Sequence, residues 1–176
     1  MFALNAIGLI TEFLPLVVRD GSNIEFRSAM AWASTQAGFV ESLSFLISHH
    51  SLEHAISGYH PNVAHGAGLT ATSVSYFTCL AERNVSRLTD VAQKMGEKVD
   101  GLPEGERPLA FVAALEKLIK KSGLEMVTLE SLGVKKEEAD VLAQHSIDSG
   151  GFGYLFTPVK LDKEDVMKII RSCFES

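Results

Sequence analysis

Five of the six histidines of this 176-residue chain fall between positions 49 and 65, in the stretch HHSLEHAISGYHPNVAH. His50 and His54 stand four apart, so on a helix their rings share one face and can chelate a single ion. His65 follows after a segment broken by Gly58 and Pro61, which lets the chain fold back toward that face. Imidazole suits zinc, iron, copper or nickel, so residue type alone selects no metal. His49 points about 100° away from His50 on a helix and is expected to be a neighbour, not a ligand. His60, in the loop, is expected at the surface.

HSLEH also fits the H-x-x-E-H string of inverted zinc peptidases, in which two histidines hold zinc and the glutamate is a general base. Three fixed letters in five make a weak pattern. That architecture needs strands and a distant acidic ligand, and nothing singles out Glu130, Glu137 or Glu138 for the part. Glu53 reads better as a solvated helix-face carboxylate or as the hydrogen-bonding partner of a histidine.

The elements that must carry these side chains read as helices almost throughout. The first stretch, up to Pro15, is an apolar helix. It lacks a positive leader, and Asn5, Thr11, Glu12 and Pro15 interrupt it, so it is expected neither to span a membrane nor to act as a signal. Its residues Ile7, Ile10 and Leu14, with Phe2, Leu9 and Phe13 beside them, are either ordinary core or a bare face that favours a homo-oligomer. Ser22 and Glu25 form a capping box for a second helix. Its small residues Ala29, Ala31, Ala33, Ser34, Ala37 and Gly38 predict a central, buried element, with Trp32 and Phe39 in the core. Helices are also expected over 65–83, after Ser86 up to Gly96, from Pro108 to Gly123, across KKEEADVLAQHS, and from Asp162 to near Phe174. Residues 97–105 and SGGFGYLF read as loops. No stretch alternates with period two, so the expected fold class is all-α, a multi-helix bundle forming one domain over 1–176.

Composition narrows the partners. With 46% hydrophobic residues the chain can bury a core. Sixteen basic against 22 acidic residues give a net charge of −6 with no basic patch. That argues against nucleic acid, because phosphate neutralisation needs clustered Lys and Arg. Cys79 and Cys173 form no C-x-x-C pair and read as reduced thiols of a cytoplasmic protein. Asn84-Val-Ser86 fits a glycosylation sequon but carries no weight without a secretory signal.

The order His50-x-x-x-His54-x-x-x-Gly58, then His65-Gly66-Ala67-Gly68-Leu69, resembles the metal site of the iron-containing alcohol dehydrogenases. FALNAIGLITEFLPLVVRDG, SRLTDVAQKMG, SLGVKKEEADVLAQHS and LDKEDVMKIIRSCF resemble the flanking and closing helices of that family's C-terminal domain. The resemblance implies that His50 and His65 are metal ligands for Fe2+, with Zn2+ the alternative. It also implies that His54 lies beside the nicotinamide of NAD or NADP and a small alcohol or aldehyde substrate. A histidine there suits proton relay from the alcohol.

Two departures accompany the likeness. The loop before His65 is about one residue longer than usual, and Ala64 stands where proline is common. The family's nucleotide-binding domain, with an Asp and a further His ligand, has no counterpart here. Gly66-Ala-Gly68 and Gly150-Gly151-x-Gly153 follow no strand and so do not read as phosphate cradles. They read as helix packing and a flexible turn. The chain is expected to be the helical part of a larger enzyme, binding metal weakly and turning over no alcohol by itself. A non-catalytic helical binding or assembly module is the alternative from another class.

Overall fold

The computed structural model describes residues 1–175. Among them are nine α-helices, two single 3-10 turns and no strand, as the all-α reading requires. The helices are α1 (Phe2–Arg19), α2 (Ile24–Leu43), α3 (Ser48–Tyr59), α4 (His65–Glu82), α5 (Arg87–Lys94), α6 (Leu109–Lys121), α7 (Ala139–Ser149), α8 (Gly151–Phe156) and α9 (Lys163–Ser172). They fall into two compact units. One comprises Met1–Ser44 and Asn84–Gly123, the other Phe45–Arg83 and the chain from Leu124 onward.

In the first unit α1 packs along α2, and α5 packs on α6. Ala6 and Ala33 are fully buried, and small side chains there let the α1 and α2 backbones approach. Asn5 Nδ2 donates to Gln36 Oε1 at 2.8 Å, and the Phe13 and Phe26 rings meet at 6.1 Å. Helix α1 does not end near Pro15. It continues to Arg19 with Pro15 buried inside it, and Arg19 Nε donates back to the Pro15 carbonyl at 3.1 Å. At 18 residues it is the one described helix long and apolar enough to cross a membrane by length and composition. Ile7, Leu9, Ile10, Phe13 and Leu14 are half-buried.

Helix α2 corrects two expectations. Its cap is Asn23, whose side chain accepts from the Phe26 N–H at 3.2 Å, while Ser22 bonds back to Asp20. Nor is it a buried helix. Only Ala33 and Gln36 are buried along it, and Trp32 and Phe39 are about half exposed, at 49% and 47%. Small residues permit close packing but do not compel it. Here one stripe meets α1 and the rest faces outward.

In the second unit α3 lies against α4, α7 and α8, and α9 closes on α4 and α7. Leu52, Ile56, Tyr76, Leu80, Leu142 and Ile170 form its fully buried centre. Each such aliphatic side chain contributes about 1.5–3 kcal/mol by leaving water. Asp162 starts α9 as expected, accepting from the Asp165 N–H at 2.9 Å. The glycine-rich SGGFGYLF segment is not a loop, because Gly151–Phe156 forms α8. Glycine is a poor helix former on its own, and here tertiary packing decides. A Cβ at Gly153 would overlap Ser51 Oγ and lie 3.3 Å from the Ser48 Cα, so the glycine is what lets α8 seat on α3. Gly150 likewise touches Ser51.

Candidate functional site

Helix α3 carries the site and is fixed at its first turn. Its leading N–H groups have no partner within the helix, and Ser48 N–H is satisfied by Thr157 Oγ1 at 2.9 Å. Thr157 Oγ1 in turn donates to Ser48 Oγ at 2.8 Å, which meets Tyr76 OH at 2.8 Å. Ser51 Oγ donates to the Gly150 carbonyl at 3.0 Å. All four side chains are buried, so α4 and the residues on either side of α8 jointly hold one end of α3. The sequence reading missed this network. Its members are scattered over more than a hundred positions and share no spacing.

From that anchored turn the rings project. His50 and His54 sit one helical turn apart, with centroids 6.3 Å from each other. His65 opens α4 and stands 5.2 Å from His50 and 5.3 Å from His54, centroid to centroid. One nitrogen from each of the three rings lies within 4.8 Å of the others, close enough for one ion to meet all three. His50 is half-buried, while His54 and His65 are exposed. The loop that returns the chain to His65 turns at Pro61 with Val63 N–H bonded to His60 O at 2.9 Å. Ala64 has φ −66°, a value that proline also adopts, so its replacement of proline leaves the loop's course possible.

Glu53 is not a solvated carboxylate. It is fully buried and paired on both oxygens: Ser57 Oγ donates to Oε1, and His65 Nδ1 to Oε2. It is therefore the histidine partner of the two alternatives. A glutamate held in this way is not facing a reactant as a general base, which removes the peptidase reading. Ser57, four residues along the same helix, was a legible neighbour. Gly68 was not. A Cβ there would lie 2.9 Å from both Glu53 Cγ and Oε1, so the buried carboxylate occupies room that only glycine leaves.

The other histidines serve packing. His49 is buried, bonds Thr72 Oγ1 at 3.0 Å and stacks on Tyr76 at 4.7 Å. Burial, aided by the neighbouring His50, pushes its imidazole down to about 3, so it stays neutral. His60 corrects the surface expectation. It is half-buried and bonds Glu138 Oε2 at 3.1 Å, a residue 78 positions away. His145 lies in α7 and packs edge-on against Tyr59.

Three imidazoles from two helices, one of them held by a buried carboxylate, converge on the described helical chain as a group that could hold a metal ion. The description "Fe-containing alcohol dehydrogenase family, C-terminal" matches residues 1–174, and the chain belongs to that family. It is 32% identical to the NAD-dependent methanol dehydrogenase of Bacillus methanolicus over 149 residues, which is 84% of this chain and 38% of that protein. It is 28% identical to the 1,3-propanediol dehydrogenase of Klebsiella pneumoniae, covering 98% of this chain and 43% of that one. Among solved structures, an archaeal halo-thermophilic alcohol dehydrogenase from a Red Sea brine pool superposes with a TM-score of 0.89 at 29% identity. That match covers 98% of this chain and 43% of the other. The chain thus spans about two-fifths of the length of the relatives it matches.

Proposed function

We propose that this chain is the metal-holding helical part of an NAD(P)-dependent alcohol dehydrogenase acting on small alcohols or aldehydes. The observation that carries the reading is the convergence of His50, His54 and His65 nitrogens to within 4.8 Å. Family membership and the alcohol dehydrogenases it matches support the reaction class. The donor set fits a divalent metal. Neutral imidazoles suit iron or zinc, and the Glu53 bond to His65 Nδ1 leaves Nε2 as that ring's donor. His50 and His65 are the proposed ligands, for Fe2+ by family and Zn2+ as the alternative.

Such an ion supplies a Lewis acid that lowers the pKa of an alcohol oxygen. This chain's residues orient around that chemistry. His50 and His65 bind from two helices, so their spacing is fixed by the packing of α3 on α4. His54 is exposed on the same helix face and is assigned to the substrate and nicotinamide side. There its ring nitrogen takes the hydroxyl proton and passes it to solvent. Two free thiols suit a reducing, cytoplasmic setting.

The test is zinc or cobalt titration of the 176-residue chain with His50→Ala and His65→Ala. Binding should be weak in the wild type and lost in each variant, and no oxidation of simple alcohols with NAD should be measurable. Equal binding by all three proteins would overturn the ligand assignment and favour a non-catalytic helical module. Alcohol turnover by the isolated chain would overturn the reading of it as one part of an enzyme.

A further inference from the structure

We propose that Glu53 is the positioning residue of His65, fixing which imidazole nitrogen faces the ion. The proposal rests on the metal-site reading and deepens it, by making one of its ligands depend on Glu53. A carboxylate only accepts hydrogen bonds, so the contact with Glu53 Oε2 requires the proton of His65 to be on Nδ1. Nε2 then keeps its lone pair. Without such a partner a neutral imidazole divides between two tautomers and its ring is free to turn. A histidine ligand whose other nitrogen donates to a carboxylate is held in register and made more basic.

Three features show that this carboxylate is built into the fold. It is fully buried, whereas His65 itself is 48% exposed at its side chain. Burying a carboxylate is costly unless it is bonded, and both of its oxygens have donors, Ser57 and His65. The space it fills exists because residue 68 lacks a Cβ. Glu53 on α3, Ser57 one turn later and Gly68 in the first turn of α4 thus form one arrangement directed at the ring of His65.

The experiment uses the 176-residue chain with Glu53→Gln and, from the opposite side, Gly68→Ala, whose new methyl group would displace the carboxylate. Nitrogen NMR of the imidazoles in the metal-free chain reads the His65 tautomer, and zinc competition against a chromophoric chelator reads affinity. The wild type should show Nδ1 protonated. Glu53→Gln should shift His65 toward the Nε2-protonated form and weaken zinc ten- to a hundredfold. Gly68→Ala should do the same with Glu53 intact, which covers the case in which the glutamine variant fails to fold. His65 protonated at Nδ1 to the same extent in wild type and variants would overturn the proposal. If no protein takes zinc, the metal reading falls, while the tautomer still decides what Glu53 does.

Discussion

The two units bury different chemistry. In the unit built on α1 and α2 the buried polar side chains are Gln36 and Ser122. The unit built on α3 buries Ser48, His49, Ser51, Glu53, Thr72, Ser73, Ser146 and Thr157. A buried polar group destabilises a fold unless it finds a partner, and most of these find one within the unit that holds the histidine cluster. The contrast extends to single helices. Seven of the twelve residues of α3 are buried, against two of the twenty in α2. The lesson is that polar burial, more than apolar burial, marks the element whose orientation is controlled. Alanine and leucine pack acceptably in several registers, but a serine, tyrosine and threonine joined by directed bonds accept one.

The largest test of that contrast is Leu52→Ala on α3. Leu52 is 1% exposed, and its truncation should cost about 2–5 kcal/mol in urea unfolding. A loss below 1 kcal/mol would show α3 to be loosely packed and would break the comparison. Next is Tyr76→Phe, which removes one of the two hydroxyl partners of the buried Ser48 Oγ and leaves the bond from Thr157. It should cost about 0.5–1.5 kcal/mol by the same measurement, and a neutral result would show the network to be decorative.

A pH series tests the second unit's buried titratable groups. Burial pushes the Cys173 thiol up to about 11 from 9.0. Between those values the unfolded chain has lost a proton that the folded chain keeps. Stability should therefore fall as pH rises above 9, by on the order of 1 kcal/mol per pH unit from this group. Urea melts of wild type and Cys173→Ala at pH 8, 9 and 10 should diverge in that sense. The smallest effect belongs to α2. Trp32→Ala, at an exposed position, should change unfolding free energy by roughly 0.5 kcal/mol or less, and a larger loss would mean that the outer face of α2 has a packing role.

Much of the helical plan was legible because its signals are local. The positive-φ glycines Gly96 and Gly123 end α5 and α6, and Asp162 announces α9 through a side-chain bond spanning three residues. The four-residue spacing of His50 and His54 is local too, and Pro61 foretold the return to His65, although Gly58 does not interrupt α3. What escaped reading depends on distant neighbours. His60 is half-buried against Glu138, which no local pattern names. α8 forms because two glycines fit against serines a hundred positions earlier. α1 passes through Pro15 although proline is a helix breaker by its own chemistry. For α2, a stripe of small residues says how near a neighbour can come, not whether one is present. The buried state of Glu53 belongs with these, since it depends on residue 68.

That dependence limits what can be moved between proteins. The five letters HSLEH have no fixed chemical meaning: grafted onto a helix whose neighbour carries alanine in place of Gly68, the glutamate would be expelled into water and the third histidine would lose its brace. A search by string alone would score both helices alike. Redesign of this segment therefore has to treat positions 53, 57, 65 and 68 as one unit of inheritance, spread over two helices and the turn that joins them.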